Sequence, residues 1–539
     1  MITKVQIRGY RKFRDFVFEP EPRMNIIVGG NEAGKSTLLE AITLALTGRV
    51  GGVRAAEYLN PYWFNKDDID HFFDQRESGN KACSPPEFQI DVHLDVERGE
   101  LEKLRGIHNL AKEDSAGLSV WAHPDPDFVE ELEQYFAQED CPRVLPVEYY
   151  AFEWRNFAGD PVLKRPKELG ISLIDSRTIR SERGVDYYTR QLLESRLDPK
   201  DRSLVSVKHR KLRGTLGQDV LSALNKELQG ERGGMPGVVV GLQVDQSRSA
   251  SWENTLIPDI NAIPLSMSGQ GNQARAKTSL ALSRSQDTSN LIFIEEPENH
   301  LSHTRLRELI SYIQDAAKGR QIYITTHSSY VLNRLGLNQV TFLSNGQSSR
   351  FGGLEPNTIN YFKRLSGFDT MRLILADKIV VVEGPSDEIV FNRFFKDRYG
   401  CEPMDYGIDV MAINGVSFER CFELANMLDR QLFALRDNDG KSVNHWVDRV
   451  KRYRKDGVRD MYVGKEEQGN TLESQIRYFN DEQQLRQVFP KATCPIQDWM
   501  MKDKTGTALT IAESSKSLTP PDYFRRAFSA LEPFIKAES

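Results

Sequence analysis

The apolar pattern separates compact α/β stretches from a less regular middle. Met24-Asn-Ile-Ile-Val28 is a nearly all-apolar run of the kind a buried strand needs, and the apolar spacing from Lys35 to Leu46 predicts a helix soon after it. From about residue 51 to 260 the texture changes. Pro, Gly and charge are mixed with β-like runs such as Glu87-Phe-Gln-Ile-Asp-Val-His-Leu94 and helical stretches such as Phe128 to Phe136. No heptad repeat persists there, which argues against a long coiled-coil arm. Compact alternation returns with a strand over Asn290–Ile294, a helix over Thr304–Ala317 and a strand over Gln321–Thr325.

A second rhythm begins near 376. It predicts strand Lys378–Val382, helix Asp387–Lys396, strand Ile408–Ile413, helix Phe418–Asp429 and strand Gln431–Leu435. Strands alternating with helices imply parallel sheets with right-handed crossovers. The chain is therefore expected to be α/β, with two nucleotide- or metal-handling domains. Its 539 residues, at about 150 per domain, leave room for three to four domains in all.

Charge and cysteine usage narrow the possibilities. The balance of 71 Lys+Arg against 77 Asp+Glu leaves a net charge of −6, so any polyanion must meet a local patch rather than a basic coat. Two stretches break the acidic average. One runs from Arg196 to Arg213 and includes Lys200, Arg202, Lys208, Arg210 and Lys211; the other is Arg449-Val-Lys-Arg-Tyr-Arg-Lys455, read as part of a helix. The second can line a site entrance and track a phosphate backbone, although a charge run is also simply a solvated face. Neither contains the aromatic interleaving of a sequence-reading strand binder. No apolar run reaches the roughly 18 residues of a membrane span, the start MITKVQIRGYRKF lacks a signal-peptide core, and five cysteines form no CxxC pair. A cytoplasmic protein without a membrane partner is expected.

The strongest chemical signal is Gly29-Gly-Asn31-Glu-Ala-Gly34-Lys35-Ser36-Thr37, which fits G-x-x-x-x-G-K-[ST] between a strand and a helix. Glycines let the backbone wrap a phosphate at a helix N-terminus. Lys35 adds a charge near the β/γ-phosphates, and the Ser36 hydroxyl can hold Mg²⁺. Leu291-Ile-Phe-Ile-Glu295-Glu296 supplies carboxylates at a strand's carboxyl end, where ligands bind in open α/β sheets. Glu295 can support the Mg²⁺ shell and Glu296 can polarise a water. His327, after the next strand, can sense the γ-phosphate.

A second set of acids closes two further strands. Lys378-Ile-Val-Val-Val-Glu383-Gly384-Pro-Ser-Asp387-Glu388 ends a strand and opens a helix, and Phe433-Ala-Leu-Arg-Asp437-Asn-Asp439-Gly440 ends another. Alternation along an extended backbone would point Asp437 and Asp439 the same way. If the strands are neighbours, Glu383, Asp437 and Asp439 converge, and an oxygen-only cluster selects Mg²⁺ or Mn²⁺. Two such ions could stabilise the attacking and leaving oxygens of a phosphodiester. Taken singly, Asp387 and Glu388 also suit a helix first turn, and Asp439-Gly440 a plain turn.

These motifs carry two resemblances. Ser266-Met-Ser268-Gly269-Gln-Gly-Asn-Gln273 resembles the signature loop of ABC-type ATPases, and the order of cradle, insertion, signature, acidic strand and histidine follows that superfamily. There the signature serine, best matched by Ser268 and less surely by Ser266, meets the γ-phosphate held by the opposite subunit, which implies a head-to-head dimer. Glu295 departs from the usual aspartate. The EG-x-x-D and D-x-D pair resembles the Toprim domain. An ABC-type ATPase followed by Toprim resembles the OLD (overcoming lysogenization defect) nucleases, most nearly the branch of the Gabija anti-phage nuclease subunit and some retron-associated effectors.

That likeness implies an ATP-regulated, two-metal DNA endonuclease, homodimeric or larger, with a helicase-like subunit or a reverse transcriptase with its RNA–DNA product as companion. It divides the chain into an ATPase N-terminal lobe (1–50), an insertion and dimerisation region (51–260), an ATPase C-terminal lobe (261–350), a linker (351–375) and a Toprim domain with a helical tail (376–539). A late acid, matched by Glu473, and a lysine, matched by Lys504 with Lys502 competing, would complete the metal site. Asn470-x-x-Glu473 equally suits a capping box. RNA cleavage, or a scaffold that binds metal without hydrolysis, are the alternatives.

Overall fold

The computed structural model describes residues 1–80, 82–95, 100–138, 141–166, 168–175, 199–219, 221–230, 242, 259–282, 290–335, 339–344, 346–350, 354–355, 357–358, 368–413 and 417–536. The chain forms two units: residues 1–27, 34–326 and 345–348 make the first, and 28–33, 327–344 and 349–539 the second. Most of the expected 351–375 linker lies outside the described residues, as does much of the second half of the 51–260 region.

In the first unit, β1 (Ile2–Tyr10) and β2 (Phe13–Phe18) pair antiparallel. Their alternating burial marks a sheet with one face in a core. β3 (Met24–Gly29) is buried at every position and belongs instead to a parallel sheet. It leads to α1 (Lys35–Thr47). The antiparallel sheet continues through β4 (Phe88–Leu94), β5 (Ser115–Pro124) and β6 (Tyr150–Asn156). The sheet of β3, six-stranded among the described residues, includes β7 (Ile171–Asp175), β8 (Leu291–Glu295) and β9 (Gln321–Thr325), in the order β7-β8-β9-β3. α2 (Gln270–Leu282) precedes β8, and α3 (His303–Ala316) links β8 to β9. Ile26, Ile27, Ile292, Ile294, Ile322 and Ile324 are almost fully buried, as expected of strands covered on both faces.

The second unit contains a four-stranded parallel sheet. Its strands are β10 (Lys378–Val382), β11 (Ile408–Ala412), β12 (Gln431–Arg436) and β13 (Arg459–Val463), in the order β11-β10-β12-β13. The crossovers are α4 (Pro385–Tyr399), α5 (Phe418–Met427) and α6 (Val443–Val450). Five later helices follow among the described residues, including α7 (Leu472–Phe479), α8 (Lys504–Glu513) and α9 (Asp522–Lys536). The expected tail is no appendage: Phe524 and Phe528 of α9 sit 5.6 and 5.2 Å from Phe391 of α4, ring to ring, and belong to the same buried cluster as Val380 and Phe433.

Among the described residues no helix is long and apolar enough to cross a membrane. Helix Pro199–Asp219 carries Lys200, Lys208, Arg210 and Lys211 on exposed positions, the solvated face a charge run usually makes; residues 196–198 of that stretch lie outside the described residues.

Candidate metal centre and nucleotide loop

The loop between β3 and α1 is shaped by backbone conformation. Glu32 and Gly34 both have positive φ, 65° and 99°, so successive N–H groups can turn toward one point. Gly34 is the N-cap of α1 and brings no side chain to it, so the loop runs into a helix N-terminus, the end of a helix that favours an anion. A Cβ at Gly34 would lie 2.9 Å from the Phe13 ring, and one at Gly29 would lie 2.6 Å from the Leu343 carbonyl oxygen. Space therefore requires glycine at both positions, and at Gly34 the positive φ requires it as well. Lys35 is buried, Ser36 and Thr37 half-buried, and Asn31 exposed.

Sheet register carries Glu295 to the same edge. Ile27 lies opposite Thr325, and Thr325 opposite Glu295. Glu295 is buried. Glu296 turns the chain with φ 45°; its N–H donates to the Thr325 carbonyl at 2.9 Å, and its Oε2 accepts from Asn299 at 2.8 Å. Ser268 and Gly269 immediately precede α2, where the Ser268 carbonyl accepts from Gln273 at 2.7 Å. The Ser266 side chain lies outside what is described. His327 follows β9 by two residues.

The acids of the second unit do converge. β10 and β12 are direct neighbours, Val381 opposite Ala434, which sets Glu383 level with Arg436. Carboxylate oxygens of Glu383, Asp437 and Asp439 lie within 4.8 Å of one another. The route differs from the expected one. β12 ends at Arg436, and Asp439 adopts a positive φ of 49°, so a turn rather than strand alternation brings the two aspartates together. Asn438 is buried within that turn and donates to the Gly469 carbonyl at 2.7 Å.

Asp387 sits in the first turn of α4, where its Oδ2 accepts from the Gly384 N–H at 3.1 Å. Glu388 is tied away by the Ala412 N–H at 3.1 Å. Burial, reinforced by Glu383 and then by Glu473, pushes the Asp387 carboxyl up to about 7. Asp437 is pushed up to about 8 by burial, Glu383, Asp439 and Asp387, with Arg436 opposing. In both, burial is the larger cause and the neighbouring carboxylates add to it.

Glu473 resolves its two readings. The capping residue of α7 is Thr471, whose partner is Ser474: the Thr471 N–H donates to Ser474 Oγ at 2.9 Å. Glu473 is not used as a cap. Its side chain is almost fully buried, with Oε2 3.6 Å from the Lys504 ammonium. Lys502 instead approaches the Cys494 sulfur at 3.8 Å, so the geometry favours Lys504. Oxygens of Glu383 (Oε2), Asp437 (Oδ1) and Glu473 (Oε2) are buried without a hydrogen-bond partner. Arg436 and Lys504 reach two of them only as ion pairs, at 3.4 and 3.6 Å; buried carboxylate oxygens without hydrogen bonds are costly, and an all-carboxylate donor set suits Mg²⁺ or Mn²⁺.

Two side chains escaped the sequence reading. Arg436 is buried, donates to Asp439 Oδ2 at 2.6 Å and to the Asp437 carbonyl at 3.0 Å, and lies 3.4 Å from Glu383 Oε2. Its guanidinium carbon stands 3.3 Å from the Trp446 ring centre. Tyr523 of α9 is fully buried and its hydroxyl has no partner among the described residues; burial, with the four nearby acids adding to it, keeps it neutral. Neither had a motif to betray it.

The basic stretch after α6 also needs correcting. α6 ends at Val450, and Lys451–Tyr453 is a separate short turn of helix. Arg452 pairs with Glu355 at 3.1 Å, Arg454 with Asp460 at 2.7 Å, and Lys455 approaches Asp429 at 3.9 Å. Of that stretch, Arg449 and Val450 reach the recess beside Glu383, a cavity of about 390 Å³.

Three family models match the chain. An "AAA domain" model covers residues 4–116, and one described as "AAA domain, putative AbiEii toxin, Type IV TA system" covers 174–333. The model for the "Overcoming lysogenization defect protein-like, TOPRIM domain" covers 374–439, which spans Glu383 to Asp439. The chain joins an AAA-type ATPase to an OLD-like TOPRIM domain. This ATPase–TOPRIM chain is 43% identical over 47 residues to the DNA replication and repair protein RecF of Desulforamulus reducens; the match spans 9% of this chain and 13% of that protein. Among solved structures, the SMC head domain from Thermotoga maritima is 14% identical, covering 64% of this chain and 97% of its own, with a TM-score of 0.28. The C-terminal region of the Burkholderia pseudomallei OLD protein is 16% identical, covering 31% of this chain and all of its own (100%), with a TM-score of 0.26. An ATPase and a TOPRIM domain together imply use of a nucleotide and a divalent metal.

Proposed function

We propose that the ATPase–TOPRIM chain is an ATP-regulated, metal-dependent DNA endonuclease. The observation that carries this reading is the meeting of Glu383, Asp437 and Asp439 within 4.8 Å, with buried carboxylate oxygens that lack hydrogen bonds. These three would hold Mg²⁺ or Mn²⁺, with Asp387 and Glu473 as further acids for a second ion. Such ions activate water and stabilise the attacking and leaving oxygens of a phosphodiester. Arg436 orients Glu383 and Asp439. Lys504, held by Glu473, adds positive charge where the transition state gains negative charge.

The nucleotide half of the proposal assigns the ATP phosphates to Gly29, Asn31, Gly34, Lys35, Ser36 and Thr37, the water-side carboxylates to Glu295 and Glu296, and γ-phosphate sensing to His327. Ser268 and Gly269 would act on the nucleotide of a second copy, which makes the working unit a homodimer or larger. A role in anti-phage defence, beside a helicase-like subunit or a reverse transcriptase with its RNA–DNA product, is supported by the family resemblance and by the "Type IV TA system" in one matched description.

Plasmid cleavage tests the core of this reading. The parent should nick or linearise DNA with Mg²⁺ or Mn²⁺, and Asp437→Ala should lose about a hundredfold or more of that activity, the scale expected when a group that organises the reacting centre is removed. Equal cutting by parent and Asp437→Ala would refute it. A labelled RNA run in parallel reports the sugar preference.

A further inference from the structure

Next to the acids lies a feature that metal binding alone does not require. The 390 Å³ recess falls within the range of about 300–1,000 Å³ typical of small-molecule sites. Glu383 forms part of its wall, so it opens directly beside the acidic triad. Ile413, Phe418, Val450 and Met461 give it buried apolar walls. Its charged lining combines Arg436 and Arg449, with Arg420 and Glu419 on the adjoining α5.

Trp446 anchors a fixed cation–aromatic stack in the recess, with Arg436 on its ring and 5.5 Å from the Phe418 ring. Its indole N–H donates to the Asn438 carbonyl at 3.0 Å, inside the same turn that places Asp437 and Asp439. Arg436 stacks on the ring, and the Arg449 guanidinium lies 4.9 Å from its centre. Planar guanidinium groups beside an aromatic ring form a stacking platform for a nucleobase, while their charge suits the attached phosphate.

We propose that this recess receives one unpaired nucleobase of the substrate strand, next to the bond being cut. The proposal rests on the nuclease reading above and adds a substrate class to it: nucleic acid whose bases are unstacked at the cleavage position. An intact duplex presents phosphates and sugars outward and keeps its bases in the stack, so nothing it offers fills an apolar hollow. A single strand, a gap or a flap offers a free base. The aromatic element missing from the basic stretch in sequence is thus supplied by Trp446 and Phe418, from two different helices.

The test uses the full chain and oligonucleotides carrying 2-aminopurine beside the cleavage position, with Ca²⁺ during binding and Mn²⁺ during cutting. Emission from the single-stranded and gapped oligonucleotides should fall on binding as the base stacks. Arg449→Gln, an exposed substitution, should weaken their binding about tenfold, the size of one stacking contact. The parent should cut the gapped substrate about tenfold or more faster than the intact duplex. Unchanged emission at saturating protein, or equal cutting of gapped and intact duplex, overturns the recess proposal. If Asp437→Ala cuts as the parent does, the nuclease reading fails instead, and the emission change alone then decides whether the recess takes a base.

Discussion

At the scale of single residues, the second unit concentrates charge that the fold does not balance. Five carboxylates, of Glu383, Asp387, Asp437, Asp439 and Glu473, face the cations Arg436 and Lys504. Asp437 is raised further than Asp387, its carboxyl pushed up to about 8. A carboxyl raised in the folded state holds its proton where the unfolded chain has lost it. Folding stability from this group therefore falls as pH rises from about 4 toward 8. Asp437→Asn removes that penalty. Without divalent metal, the variant should gain melting temperature relative to the parent as pH moves from 5 to 8, and Mn²⁺ should stabilise the parent more than the variant. Thermal unfolding across that range checks both. A gap between the two proteins that stays constant with pH would mean that Asp437 is not charged against its neighbours.

At the scale of elements, the acidic centre depends on how α8 is held. Lys504 opens this helix, and Arg393 of α4 secures its far end. The Arg393 guanidinium donates to the carbonyls of Ile511 at 3.1 Å and Ala512 at 3.0 Å, and to that of Ser514, while Asp397 fixes it from α4 at 2.8 Å. These carbonyls end a helix and have no intrahelical partner of their own. Arg393→Ala should cost about 2–3 kcal/mol, since several charge-assisted bonds are lost together, and chemical denaturation measures it. Arg393→Lys should recover only part, because one ammonium cannot span the same carbonyls. Most strands and helices flanking the centre were legible to within a few residues from apolar spacing, because Lys378–Val382 and Gln431–Arg436 are nearly continuous apolar runs. The cap of α7 was not. Asn470 and Thr471 both suit an N-cap, and only the path of the chain gave that place to Thr471 and left Glu473 pointing inward.

At the scale of the whole chain, two chemistries occupy separate sheets. Lys35 belongs to the phosphate loop and Asp437 to the acidic centre, so their losses should separate. Lys35→Ala should weaken binding of a fluorescent ATP analogue at least about tenfold, the scale of one charge-assisted phosphate contact, with Asp437→Ala binding it as the parent does. If Asp437→Ala also abolished nucleotide binding, independent sites would be refuted. Neither substitution removes apolar core, which in the second unit includes the far C-terminal Phe524 and Phe528.

The sequence alone determined what is local: the glycine-lysine loop, the apolar strands and the acids just beyond their ends, since each depends on neighbours a few positions away. The tertiary structure decided what depends on distant partners. It made β10 and β12 adjacent, used a left-handed turn at Asp439 where an extended strand was expected, inserted Arg436 among the acids and seated it on Trp446, and drew Glu473 to Lys504. Apart from Glu473 and Lys504, which the family resemblance already assigns to one site, none of these has a signature in the chain, because each is set by where a side chain ends up after packing, and residues tens of positions away decide that.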